Sequence, residues 1–201
     1  MIKFYNFPLS GNGRRVHFAL EEMGLPYEMQ IVNLLAGDQK KQEYTAINPN
    51  GKVPAIVDDG FSLYESFAIV YYLSEKSQKF MPKEASTRAK VMQWMFYLAA
   101  QVHESFAMPW FQYALVPEAG RDVKAIAEAQ ERAKGYLSIM EQALAANEYL
   151  AGAFSIDDIS VASAINLHHG AQIDLASFPK VKAWLDKVRA RPAWLKTEPK
   201  M

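Results

Sequence analysis

The chain has 201 residues, half of them hydrophobic, and its 22 Lys and Arg balance its 22 Asp and Glu to a formal net charge of zero. The length allows one large domain or two modest ones, and the balanced charge argues against a nucleic-acid-binding protein, which usually carries a basic stripe. The absence of cysteine excludes a disulfide framework, a thiolate zinc site and redox chemistry by a thiol of the protein itself.

The first three predicted elements are a strand, a helix and a second strand. Residues 2–5 are apolar and aromatic, as in a short strand. Apolar residues recur at helical spacing through 13–23, and Gly24 marks a helix end. Residues 27–32 then alternate like a strand. This order is typical of the opening of an α/β domain.

After a further helix, the sequence predicts a hairpin and a closing helix. Two short apolar stretches, 54–57 and 61–64, flank Asp58-Asp59-Gly60. An Asp-Gly pair between apolar stretches favours a tight hairpin turn. A last helix of this region begins near Ser66. The complete order, βαβαββα, is that of a thioredoxin-like α/β domain.

The remainder of the chain predicts helices alone. A polar stretch around Pro82 separates the two compositions, so we assign 1–76 to the α/β domain, 77–86 to a linker and 87–201 to an all-helical domain. Apolar residues at steps of three and four predict a long amphipathic helix over 123–144. Ser155, three residues before Asp158, has the form of a capping box, which predicts a helix start.

Five stretches of the chain together form one family pattern. They are residues 5–15 (Tyr-Asn-Phe-Pro-Leu-Ser-Gly-Asn-Gly-Arg-Arg), 48–55 (Asn-Pro-Asn-Gly-Lys-Val-Pro-Ala), 63–69 (Leu-Tyr-Glu-Ser-Phe-Ala-Ile), 152–158 and 178–192. In this order and spacing they resemble the glutathione transferase family nearly end to end. The resemblance implies a thioredoxin-like domain that binds glutathione as co-substrate, a helical bundle domain and a homodimer.

The resemblance implies where the γ-glutamyl end of glutathione binds. Glu65 would hold the ammonium group, and Ser66 with the N-terminus of its helix would hold the carboxylate, because unpaired backbone N–H groups and the helix dipole favour an anion there. The structural alternative is that Ser66 is only a helix N-cap.

The resemblance also places the rest of glutathione. Val53 would pair its backbone with the cysteinyl unit next to a cis bond to Pro54. Lys52 would meet the glycine carboxylate, helped by Gln39 or Lys40. For Lys40 a solvated surface position is an equal alternative.

Two hydroxyl groups compete to stabilise the glutathione thiolate. Ser10 followed by Gly-Asn12 is similar to the serine-type delta and theta members and to bacterial nu-like members, rather than to the cysteine-type ones. Tyr5 matches the tyrosine of other classes. A free thiol of pKa ~8.5 is only slightly ionised at neutral pH, so the donor matters. We favour Ser10 with Asn12, and Tyr5 is the alternative.

The family resemblance implies that the first helix of the second domain supplies a hydrophobic substrate site. The candidates there are His103, Phe106, Trp110, Phe111 and Tyr113. Aromatic residues at helical spacing are more often core than pocket, so about half of them are expected to be structural. No metal is expected, since the adjacent His168 and His169 point about 100° apart on a helix.

These observations favour a transferase that conjugates glutathione to hydrophobic electrophiles. A glutathione-dependent disulfide or peroxide reductase, isomerase or dehalogenase, and a non-catalytic binding protein, are the alternatives on the same fold. The N-terminal residues lack the apolar stretch of a signal peptide, and no apolar run approaches the ~20 residues that span a bilayer. The expected location is therefore the cytoplasm, and neither nucleic acid nor membrane is an expected partner.

Overall fold

The computed structural model describes residues 1–198, which divide into two units. The first unit contains Met1–Phe80 and the segment that begins at Arg191, and the second contains Met81–Ala190. The sequence predicts that everything from residue 87 onwards belongs to the second domain. The segment from Arg191 differs because its side chains pack against a helix of the first unit, as described below.

The first unit is built on a four-stranded sheet in the order β2-β1-β3-β4. β1 (Ile2–Asn6) pairs in parallel with β2 (Tyr27–Ile31) and antiparallel with β3 (Ala55–Asp58), which forms a hairpin with β4 (Phe61–Tyr64). The Asp59-Gly60 turn between β3 and β4 has positive φ at both residues, 49° and 89°, as a tight hairpin turn requires. The predicted hairpin is confirmed.

Three helices of the first unit follow the predicted order. They are α1 (Gly11–Met23), the four-residue α2 (Gln42–Thr45) and α3 (Ser66–Ser77). Alternation along β1 places Phe4 on the same face as α1, where its ring lies 5.9 Å from His17. The mixed sheet with these helices is the thioredoxin-like order that the sequence predicts.

The regular elements of the second unit are helices, and its loops contain an isolated β-bridge between Tyr149 and Gly152. A π-helical segment, Leu98–Val102, which is wound more widely than an α-helix, joins its first two long helices. Pro179 occupies the first turn of the last one, where its missing N–H removes no helical hydrogen bond. The helices are α4 (Ala85–Tyr97), α5 (His103–Leu115), α6 (Val123–Ala146), α7 (Ile156–Ile165) and α8 (Pro179–Arg189).

The predicted capping box stands at the N-terminus of α7. Asp158 is fully buried and accepts hydrogen bonds from the Ser155 N–H (3.0 Å), the Leu150 N–H (3.1 Å) and Trp184 Nε1 (2.8 Å). The neighbouring Asp157 is also fully buried, and its Oδ2 has no hydrogen-bond partner within residues 1–198. Burial, together with the Asp158 carboxylate, raises the pKa of Asp157 well above its usual range.

A short C-terminal segment completes the first unit. It contains α9 (Pro192–Lys196), whose Trp194 is buried with its ring 5.1 Å from Phe18 of α1. Arg191 donates to both carboxylate oxygens of Glu22, at 2.5 and 2.9 Å. Within residues 1–198, no helix has both the length and the apolar character needed to span a membrane.

Candidate functional site

Ser10 forms the N-cap of α1. Its backbone is extended (φ −77°, ψ 116°), and its Oγ accepts a hydrogen bond from the Gly13 N–H at 3.0 Å. A serine hydroxyl that accepts one bond still has its own hydrogen to donate. The side chain is half-buried, so that hydrogen can meet a ligand at the positive end of α1.

A buried guanidinium joins the first turn of α1 to the first turn of α3. Arg15 Nη1 donates to Asn12 Oδ1 and to Ser66 Oγ, each at 2.6 Å. Arg15 is fully buried, and its Cζ lies 4.1 Å from the centre of the Phe67 ring. Burial lowers the pKa of Arg15 to about 9, so the group is protonated at neutral pH. The sequence candidates Asn12 and Ser66 are therefore brought together.

Glu65 and Ser66 lie where β4 gives way to α3. Glu65 is the N-cap residue and is exposed. Its backbone has a positive φ (φ 70°, ψ 109°), which non-glycine residues rarely adopt. Ser66 is the first helical residue and is buried. The alternative that Ser66 is the N-cap is thus wrong, because Glu65 occupies that position.

The loop before β3 is fixed by side chains around the Lys52 carbonyl. That oxygen accepts hydrogen bonds from the Tyr44 hydroxyl (2.5 Å) and from Asn48 Nδ2 (2.6 Å), and the Val53–Pro54 bond that follows is cis. Burial raises the pKa of Tyr44 to about 12, which keeps its hydroxyl a donor. Val53 is half-buried and packs against a small hydrophobic cluster of the first unit. Its own backbone is therefore held in place beside the sheet.

The three candidates for binding the glycine carboxylate lie in or beside this loop and differ in exposure. They are Gln39, Lys40 and Lys52. Gly51 has φ 59°, and a Cβ at this position would come within 3.0 Å of the Gln39 carbonyl oxygen, so the two backbone segments lie against each other. The Gln39 side chain is half-buried, whereas the Lys40 and Lys52 side chains are exposed. All three are on the same part of the first unit.

Tyr5 lies on the opposite face of the sheet from α1. Strand alternation turns it away from Phe4 and Asn6, and its ring packs 6.0 Å from Tyr44 in the cluster with Val32. Its environment is therefore that of a half-buried aromatic residue beneath the loop before β3. Ser10, by contrast, belongs to the α1 side.

The five candidates for the hydrophobic substrate site lie on α5, so their predicted place on the first helix of the second domain is wrong, because α4 (Ala85–Tyr97) precedes them. Their environments differ. Phe106 is fully buried, so it belongs to the core. Trp110 is half-buried against Gly170, where a Cβ would lie 2.6 Å from the indole. The remaining three are His103, half-buried at the first position of α5; Phe111, which is 49% exposed; and Tyr113, half-buried with its ring 5.3 Å from the Arg121 guanidinium.

Comparison with known proteins agrees with this arrangement over most of the chain. Residues 4–79 match the family model for the N-terminal domain of glutathione S-transferase, and residues 103–192 match the model for its C-terminal domain. The chain belongs to the glutathione S-transferase family.

Individual members of the family cover nearly the whole chain. Glutathione S-transferase F10 of Arabidopsis thaliana is 33% identical, over 93% of this chain and 92% of its own. The disulfide-bond oxidoreductase YfcG of Escherichia coli is 34% identical, over 96% and 92%. A glutathione transferase family member from Pseudomonas fluorescens, solved with two glutathione bound, has a TM-score of 0.91 at 30% identity, over 98% and 92%.

Sequence reasoning did not single out Arg15. A signal was present, since Arg15 is one residue before Val16 and three and four before Phe18 and Ala19, all of them buried on α1. A charged side chain on the apolar face of a helix is almost never fully buried unless it is paired. That position alone therefore indicates an internal hydrogen-bond partner, although it does not say which one.

Proposed function

We propose that this chain is a homodimeric glutathione transferase that binds glutathione in its first unit, stabilises the thiolate and adds it to hydrophobic electrophiles. The observation that carries the proposal is the geometry of Ser10. Its oxygen is already used to cap α1, so its hydrogen is left to donate to an anion. Asn12, two residues later, is held by Arg15, which supports the assignment to serine-type members.

The proposed γ-glutamyl subsite is the start of α3. Glu65 is exposed and offers a carboxylate to the ammonium group, while Ser66 and the first N–H groups of α3 receive the carboxylate. The Arg15 guanidinium joins the first turn of α1 to the first turn of α3 at this subsite. Such an environment favours a bound anion.

The proposed cysteinyl and glycine subsites lie along the loop before β3. The Val53 backbone pairs with the cysteinyl unit as an added strand. Lys52, with Gln39 and Lys40, receives the glycine carboxylate. The fixed Lys52 carbonyl supports this assignment, because two side-chain hydrogen bonds hold the loop before any ligand arrives.

The proposed reaction needs only a thiolate and an electrophile. The thiol proton leaves to water, and the sulfur lone pair forms a C–S bond. In a substitution the leaving group departs with the bonding pair, and in an addition the adjacent carbon takes a proton from water. Lowering the thiol pKa by two units requires roughly 2.7 kcal/mol of preference for the anion. Charge-assisted hydrogen bonds and a helix N-terminus are each worth a part of that.

The second candidate function is a glutathione-dependent disulfide reductase. It is favoured by the 34% identity to a disulfide-bond oxidoreductase. Because the chain has no cysteine, both thiols must come from glutathione. One glutathione thiolate attacks the substrate disulfide, breaks its S–S bond, forms a mixed disulfide and expels one substrate thiolate. A second glutathione thiolate attacks the glutathione sulfur of the mixed disulfide, so that glutathione disulfide forms and the other substrate thiolate leaves, and both substrate thiolates take up protons from water. Isomerase, dehalogenase and non-catalytic binding remain alternatives on the same site.

The deciding experiment measures the thiolate absorbance of bound glutathione from about pH 5 to about pH 9. We expect ionisation well below the free thiol pKa of ~8.5. Ser10→Ala is expected to raise the pKa of the bound thiol by about 1 to 2 units, since a hydrogen bond to a charged group is worth about 1.5–3 kcal/mol. Tyr5→Phe is the matched control and should leave that pKa nearly unchanged.

Other results of the thiolate titration and of a substrate comparison would favour different functions. An unshifted pKa in a protein that binds glutathione supports a binding protein, and a shift abolished by Tyr5→Phe instead transfers the role to Tyr5. Turnover of 2-hydroxyethyl disulfide above that of chlorodinitrobenzene favours the reductase. The predicted substrate site on α5 and the cytoplasmic location stay predictions.

The proposed homodimer has support in the first unit. Phe61 and Tyr64 on β4 and Tyr71 on α3 are large aromatic residues that are 50%, 38% and 37% exposed. A partner subunit that covered these side chains would remove apolar surface from water. Light scattering of the purified protein tests the proposal, and a mass of 22.7 kDa, that of one chain, would contradict it.

A further inference from the structure

One nitrogen of Arg15 contacts both ends of the proposed glutathione site. Nη1 carries two hydrogens, and it donates one to Asn12 Oδ1 and the other to Ser66 Oγ at 2.6 Å each. Asn12 belongs to the proposed thiolate-binding end, and Ser66 to the carboxylate-binding end. They come from different helices, and 51 residues separate Arg15 from Ser66.

The contact determines which atoms these two side chains present to a ligand. Because the Asn12 oxygen accepts from Arg15, its amide NH2 is directed elsewhere and can donate. Because the Ser66 oxygen also accepts from Arg15, its hydroxyl hydrogen is free to donate. Thiolates and carboxylates both need donors. A cation that occupies the acceptor atoms thus turns both side chains into donors for anions.

The guanidinium is held so that it cannot serve one partner without the other. It is fully buried, and the Phe67 ring covers it at 4.1 Å. Planar and rigid, it has little freedom to move away from either acceptor. A displacement of Ser66 therefore changes the bond to Asn12, since both bonds end on the same nitrogen.

We propose that Arg15 is a positioning residue that couples the carboxylate-binding end of the glutathione site to its thiol-activating end. Docking of the γ-glutamyl carboxylate at Ser66 tightens the Ser66–Arg15–Asn12 chain and orients the Asn12 amide toward sulfur. This inference rests on the proposed function. It differs from a merely structural role, in which Arg15 would join α1 to α3 and the two ends would act independently.

The test is a double-mutant cycle that leaves Arg15 in place. Asn12→Ala, Ser66→Ala and the double variant are compared with the wild type for glutathione affinity and for the ionisation constant of the bound thiol. We expect Ser66→Ala, although remote from sulfur, to reduce that constant about threefold or more, and the two effects to be non-additive by a similar factor. Ser62→Ala, an exposed serine on β4, is the control and should change neither quantity.

Three outcomes overturn the proposal. Additive effects on the ionisation constant, or a Ser66→Ala variant that loses affinity with unchanged thiol ionisation, would show that the ends are independent. Arg15→Lys, which keeps the charge but lacks the planar fork, is expected to remove the non-additivity, and a folded variant that retains it also contradicts the proposal. Failure of the proposed function is distinct, because then the wild type itself does not bind glutathione or does not lower its thiol pKa.

Discussion

Each of the two units buries a charged side chain at a helix N-terminus, and the two differ in what completes them. In the second unit, Asp158 at the start of α7 accepts three hydrogen bonds, all from groups of the protein. In the first unit, Arg15 binds the acceptor atoms of Asn12 and Ser66 near the starts of α1 and α3. The donor atoms of those residues are then left for a ligand.

The difference follows from the sign of the charge. An anion at a helix N-terminus is stabilised by the dipole and by the N–H groups there. These contacts offset part of the cost of burying Asp158, whose pKa burial raises to about 6. A cation near two helix N-termini adds to positive potential, which an incoming anion neutralises. The first arrangement is suited to stability, and the second is suited to binding.

The largest expected effect on stability is at the buried Asp158. Asp158→Ala leaves the Trp184 indole and two buried backbone N–H groups without their acceptor. We expect a loss of about 4 kcal/mol in the free energy of unfolding, since each unsatisfied buried group costs about 1–3 kcal/mol. Urea unfolding followed by tryptophan fluorescence measures it.

The control for this variant is an exposed aspartate in the same unit. Asp186 on α8 contacts Lys182 at 2.6 Å, and both side chains are more than half exposed. Asp186→Asn should change the free energy of unfolding by no more than about 0.5 kcal/mol. A loss in Asp158→Ala no larger than in this control would contradict the account of the buried acid.

A smaller effect is expected in the first unit at Gly13. A Cβ there would lie 1.8 Å from Asn6 Oδ1 and 3.2 Å from the Ser10 Cβ. Gly13→Ala should gain up to about 1 kcal/mol in helix propensity but lose about 1–3 kcal/mol to overpacking, for a net loss of about 1 kcal/mol. It should also weaken glutathione binding, because the Ser10 cap must move.

Replacing Asn6, whose Oδ1 would overlap the new Cβ, provides the matched test. In an Asn6→Ala background the space beside Gly13 is open, so Gly13→Ala should become neutral or stabilising by up to about 1 kcal/mol. Chemical unfolding of the four proteins in this cycle gives the coupling. A Gly13→Ala loss that persists without the Asn6 amide would show that steric overlap is not its cause.

A change no larger than that at Gly13 is expected at Asp157, but its sign is opposite, since the variant should be the more stable protein. Burial and the adjacent Asp158 raise its pKa, so the folded protein keeps this proton at pH values where the unfolded chain has lost it. The free energy of unfolding then falls as the pH rises above about 4. Asp157→Asn replaces the carboxyl group with an amide that does not ionise. This variant should be more stable than the wild type by about 1 kcal/mol at neutral pH.

The pH dependence separates this explanation from a general packing effect. Near pH 3, where Asp157 is protonated in both states, Asp157→Asn and the wild type should unfold at similar urea concentrations. The difference between them should grow toward pH 8. A stability difference that stays constant across this range would rule out the titration of Asp157 as its source.

Local patterns predicted most of the fold. The Asp-Gly turn, the Ser155–Asp158 capping box and the long α6 each depend on neighbours within a few residues, so their sequence carries the information. The placement of α9 in the first unit could not be predicted in this way. The position of α9 depends on Trp194 meeting Phe18 and on Arg191 meeting Glu22, which are pairings between distant parts of the chain.

The candidate site shows the same division. Ser10, Ser66 and the loop before β3 could be named because short motifs contain them. That Tyr5 faces away from α1 depends on strand alternation and on packing against Tyr44. The Arg15 bridge spans two helices, so no motif within one stretch of sequence contains it.

The return of the chain to its first unit has a consequence for synthesis. The Glu22–Arg191 ion pair closes a loop of 169 residues, and the whole second unit is translated within that loop. Until Trp194 leaves the ribosome, Phe18 on α1 lacks its cover. The packing around α1 is therefore completed only after the whole second unit has been translated.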